Sequence, residues 1–97
     1  MDLLDVDDYW EDIKDVPWDS GYTPRQVVKC ITMGECPTQA EYDVKLVKHF
    51  VRQFKLYRND LDRWPVEVDH DRDIVDGFHR LTAAKILNIG MFPYRQI

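Results

Sequence analysis

The chain predicts an α+β fold, a small mixed β-sheet packed by helices. Three observations carry this. Between residues 38 and 57, Val44, Val47, Phe50, Val51, Phe54 and Tyr57 recur with a helical period, and Lys45, Lys48, Arg52 and Lys55 line the opposite face. Trp64, Val66 and Val68 then alternate, followed by the polar turn Asp69-His70-Asp71-Arg72 and a second short strand, Asp73-Ile74-Val75. That pattern predicts a β-hairpin. Finally, Gly77 leads into an alanine-rich helix over 77–88, and Met91–Ile97 closes the chain as a strand.

The remaining elements follow in order. Residues 1–22 form an acidic, aromatic arm ahead of a domain spanning 23–97. Leu4, Val6, Trp10 and Ile13 suggest partial order there, and Pro17 and Gly21 break it. Burial of its tryptophans favours docking as a terminal strand with a charged outer edge. Thr23 and Pro24 are a cap and a first position for a short helix that Gly34 and Pro37 end. Thr38 and Glu41 have capping-box spacing, which starts the longest helix at Thr38. The last helix stops near Asn88-Ile89-Gly90. Pro93 has no N–H to donate, which places the final strand at an edge or puts Pro93 at a strand start.

Ninety-seven residues, 44% of them hydrophobic, support one modest core. No apolar run approaches the roughly 20 residues that span a bilayer. Met1-Asp2-Leu3-Leu4-Asp5 lacks the basic start of a secretory signal. A cytoplasmic protein with no membrane partner is expected. Cys30 and Cys36 do not form a zinc pattern. A disulfide between them is geometrically possible, although a cytosolic chain would keep it reduced. The net charge is −5 and unevenly placed: residues 1–19 hold eight acids and one base, and the rest is nearly balanced. This acidity makes direct DNA binding an unfavourable reading.

Asp76-Gly77-Phe78-His79-Arg80 carries the strongest chemical signal. A strand, a glycine turn and a helix start present unpaired N–H groups at the positive end of a helix dipole, a ready anion site. Arg80 adds a bidentate phosphate ligand, His79 a hydrogen-bond donor and Thr82 a hydroxyl. Asp76 has three readings: helix cap, orienter of His79, or metal or substrate base. Asp69, His70, Asp71 and Asp73 fit a solvated turn better than a magnesium site. The lysine and arginine stripe reads first as a solvated face. His49 has no partner in sequence.

The order of elements, with Asp76-Gly77-Phe78-His79-Arg80-Leu81-Thr82-Ala83-Ala84 and the later Asn88-Ile89-Gly90 and proline-containing strand, resembles the ParB/sulfiredoxin superfamily. The resemblance covers residues 40–97, and Thr23-Pro24-Arg25 resembles the arginine-bearing segment upstream in ParB-like domains. It implies a nucleotide site, with Gly77, Phe78, His79, Arg80 and Thr82 around the phosphates of CTP or ATP with Mg2+. Asp76, His79 and Arg80 are then the catalytic candidates for hydrolysis or phosphoryl transfer. Phe78 stands where sulfiredoxin has its cysteine, which removes that chemistry. The DNA-binding and dimerisation domains of ParB do not follow within these 97 residues. Isolated domains of this kind look like phage or mobile-element products. That makes the alternative an inhibitor that turns its acidic arm on a host or DNA-associated protein. A ParB-like nuclease is a further alternative, disfavoured by the charge.

Overall fold

The computed structural model describes residues 2–97. Four strands, β1 (Leu3–Asp5), β2 (Val66–Val68), β3 (Ile74–Asp76) and β4 (Met91–Gln96), form one mixed sheet in the order β1-β4-β2-β3. β1 pairs antiparallel with β4, β4 parallel with β2, and β2 antiparallel with β3. Four helices complete the fold: α1 (Val6–Ile13), α2 (Pro24–Met33), α3 (Glu41–Leu56) and α4 (Phe78–Ile86). The α+β class expected from sequence is therefore present, as is the β2–β3 hairpin.

α4 is the centre of the molecule. It packs against α1, α2, α3 and β2. Leu81, Thr82, Ala83 and Ala84 are fully buried, and small side chains let several neighbours approach one helix at once. Its C-terminus is a Schellman turn: Ile89 N–H donates to Ala84 O and Asn88 N–H to Lys85 O. Asn88 takes the left-handed position at φ +56°. Ile89 is buried just beyond it.

The acidic N-terminal segment is part of the core rather than an appended arm. β1 lies on the outer edge of β4, as a terminal strand should, but a helix unforeseen in sequence follows it. Asp5 caps α1 by accepting from the N–H groups of Asp7 and Asp8. Leu4, Val6, Trp10 and Ile13 join the same buried cluster as Val66, Leu81 and Phe92. Lys85 to Asp7 at 2.9 Å and Tyr9 Oη to Arg72 O at 2.9 Å tie the segment down. The acids occupy the outer face.

Other expectations need correction. Thr38 does not cap α3: residues Thr38–Ala40 form a 3-10 turn with no side-chain cap, and α3 begins at Glu41. The backbone itself makes the bond, Ala40 N–H to Pro37 O. Trp64 and Pro65 precede β2 instead of belonging to it, because Trp64 N–H closes a 3-10 turn onto Leu61 O. Trp64 instead packs beside Phe54 and Tyr57.

Pro93 lies in an interior strand, against the edge expectation. β4 pairs with β1 through Met91–Pro93 and with β2 through Tyr94–Gln96. Tyr94 N–H donates to Asp2 O, on the β1 side. Successive N–H groups alternate sides, so position 93 faces the β2 side, where the ladder begins only at Val66. No ladder bond is lost there.

α2 follows its sequence signals closely. Thr23 and Gln26 form a reciprocal capping box with Pro24 in the first turn. Gly34 closes the helix in the left-handed region.

Candidate functional site

β3 delivers the chain to the start of α4 through Gly77. Its φ is +113°, and a Cβ there would lie 3.1–3.3 Å from Val66. Only glycine combines that backbone angle with that approach. Gly77 is also the N-cap of α4, so no side chain caps the helix. Leu81 N–H makes the first intrahelical bond, to Gly77 O. The N–H groups of Phe78, His79 and Arg80 precede it, the unpaired donors of a helix start.

Three hollows adjoin this turn. The largest, about 510 Å³, is lined by Trp18, Asp19, Ser20, Tyr42, Asp43 and His79, among others. A second of about 180 Å³ lies over Val75–His79 and Trp18. A third of about 90 Å³ lies between Phe50, Asp76, Gly77 and Arg80.

His79 is oriented by Asp43, a residue the sequence reading did not single out. Its Nε2 lies 2.8 Å from Asp43 Oδ1, and Ser20 Oγ donates to Asp43 Oδ2 at 2.6 Å. A carboxylate only accepts, so Nε2 carries the hydrogen. Asp43 is buried, with 4% of its side chain exposed. Trp18 stacks on the His79 ring at 4.3 Å between centroids and 9° between planes, and Tyr42 meets the ring edge-on. The turn from Trp18 to Tyr22 supports this arrangement: Gly21 N–H donates to Trp18 O, Trp18 N–H to Tyr22 O and Tyr22 N–H to Ser20 Oγ. Trp18 Nε1 is buried without a partner among the described residues.

Asp76 does not cap α4, and it does not orient His79. It lies on the β3 end, well exposed, 3.5 Å from Arg80 Nη2. Arg80 donates through Nη1 to Pro65 O at 2.6 Å and passes over the Phe50 ring. A guanidinium has five donors, so these contacts leave some free. Phe78 is partly buried and lines two of the hollows. Thr82 is turned away from this group. It is fully buried, and its hydroxyl donates to Phe78 O at 2.7 Å, so it offers nothing to a phosphate at the helix start. The structure thus gathers Asp76, Gly77, Phe78, His79 and Arg80 and separates Thr82 from them.

Asp69 is a turn-former. Its Oδ1 accepts from Asp71 N–H and Asp73 N–H. Among the described residues, no group of three or more His, Cys, Asp or Glu side chains is placed to hold a metal ion. No described helix is long and apolar enough to cross a membrane.

Asp43 had a signal in the sequence. It falls in register with Val47, Phe50 and Phe54 on the apolar stripe of α3. A carboxylate at such a position needs a buried partner. Ser20 and Trp18 had no such marker, since a loop brings them over the site.

No family model, curated protein or solved structure matches this chain.

Proposed function

We propose that the start of α4 binds the phosphates of a nucleotide, with the ParB/sulfiredoxin resemblance supplying the ligand class. One observation carries the reading: α4 starts without a side-chain cap and its three leading residues line open hollows. Phosphate oxygens complete such a helix start, and the dipole favours their charge. Arg80 adds spare guanidinium donors beside them. His79 spends its Nε2 hydrogen on Asp43, so its ring walls the hollows beside Trp18 and does not give that hydrogen to a phosphate, contrary to the donor role expected from sequence.

In this reading magnesium arrives with the phosphates, because it is usually held by one or two carboxylates plus phosphate oxygens. Asp76 is the exposed carboxylate beside Arg80 that could join it. If the nucleotide is turned over, the helix start and Arg80 stabilise transferred charge, and Asp76 is the candidate base. Calorimetry with CTP, ATP and GTP, each with magnesium, tests the proposal. Saturable heat with at least one, weakened in Arg80→Ala, supports it. Absence of binding at millimolar nucleotide overturns it.

A second reading rests on the acidic face. Asp2, Asp5, Asp7, Asp8, Glu11, Asp12, Asp15 and Asp19 are all exposed, while Leu4, Val6, Trp10 and Ile13 between them are buried. A basic, DNA-associated host protein is the partner such a face fits. Deleting residues 1–19 would remove β1 and part of the core, so charge exchange is the sound test. Asp8→Lys with Asp12→Lys should abolish capture of such a partner and leave nucleotide binding intact.

A further inference from the structure

Cys30 and Cys36 form a disulfide with Cα atoms 4.9 Å apart, within the span that disulfides bridge. Cys30 belongs to the last turns of α2 and packs against the core edge. Gly34 reverses the chain, and Cys36 lies exposed in the loop beyond it. The two sulfurs thus differ in access.

They differ in electrostatic setting as well. Cys36 lines an open cavity of about 360 Å³ together with Glu41, Lys45 and Lys48. Lys45 is engaged by Glu41 at 2.9 Å and, through that hydrogen bond, holds the Glu41 carboxyl below the usual carboxylate range. Lys48 has no carboxylate within 4 Å among the described residues. Lys48 shares this cavity with Cys36, and a nearby cation favours the thiolate of a reduced cysteine, the form that attacks disulfides. Cys30, at the C-terminal end of α2, faces the negative end of a helix dipole instead.

We propose that this cavity is a thiol-exchange site, with Cys36 as the exchanging sulfur, Cys30 as the resolving sulfur, and an anionic low-molecular-weight disulfide as the oxidant. The Cys36 thiolate attacks one sulfur of the small disulfide. A bond forms from Cys36 Sγ to that sulfur, the small disulfide breaks, and one small thiolate leaves. The Cys30 thiolate then attacks Cys36 Sγ, closing the Cys30–Cys36 bond and expelling the second small thiolate. Two electrons pass from the protein dithiol to the small disulfide, and the two protein protons end on the released thiols. Reduction runs the same steps backwards. Lys48 attracts the anionic reagent, and the clasp opens or closes the loop that leads into α3, whose first turn carries Asp43.

The test uses the full chain, reduced with dithiothreitol and freed of it. Oxidised glutathione serves as the anionic probe and cystamine as the cationic one, both at low salt. Reaction rates are referred to a small cysteine peptide. Cys30→Ser should accumulate the glutathione adduct on Cys36 by mass spectrometry. Cys36→Ser should react about tenfold more slowly at Cys30, the less accessible sulfur. Lys48→Glu, an exposed change, should cut the glutathione rate by about threefold or more and spare cystamine. Equal reactivity of the two cysteines overturns the proposal. A glutathione-to-cystamine preference unchanged by Lys48→Glu also overturns it.

Discussion

α2 and α4 begin in opposite ways. At α2, Thr23 and Gln26 exchange hydrogen bonds and Pro24 removes a donor that would need a partner. The chain satisfies its own helix start. At α4, Gly77 offers no side chain, and the leading residues line hollows shared with Trp18 and Phe50. The capped start is a stability device. The uncapped one admits only glycine, by its backbone angle and its approach to Val66, and glycine supplies no capping hydrogen bond. The contrast marks a helix start that the chain leaves open beside surface hollows.

Glycine substitution sharpens the comparison most. Gly77→Ala forces a left-handed residue against Val66 and should lose about 3 kcal/mol in urea unfolding. Gly34→Ala, left-handed but with open space around it, should lose about 1 kcal/mol. Equal losses would mean that the approach to Val66 is unimportant. Next in size, Asp43→Ala leaves Ser20 and His79 without their shared acceptor. It should cost about 2 kcal/mol and shift Trp18 fluorescence as the stack on His79 loosens. Asp43→Asn, which keeps an acceptor, should cost less. Smallest is Thr23→Ala, which removes the α2 cap for about 1 kcal/mol and should leave nucleotide affinity unchanged. A matching loss of affinity would show that the two helix starts are not independent.

What the sequence made legible was mostly local. The Thr23 cap, the hairpin and the Gly77 turn depend on neighbours a few residues away, and each is in place. β1 was harder to read, because three residues pair with a strand nearly ninety positions later. The α1 pattern, Val6, Trp10 and Ile13, was present but hidden among acids that suit an arm equally well. The rule on proline in strands failed at Pro93 because β4 changes partners there, a tertiary fact. At the site, Gly77, His79 and Arg80 were visible from their motif. Asp43 had only its register on α3, and Trp18 and Ser20 arrive through a loop whose course no local pattern specifies. Thr82 was misplaced because its position in the α4 sequence does not say that it is fully buried in a helix packed by three others.

The central claim is that the start of α4 takes a phosphate while the start of α2 does not. Amide nuclear magnetic resonance during titration with CTP or ATP and magnesium tests it directly. The account predicts saturable movement of the Phe78, His79 and Arg80 amide signals, with the Arg25 and Gln26 signals fixed. Signals at Phe78–Arg80 that stay still at millimolar nucleotide, or that move no more than those of α2, would contradict it.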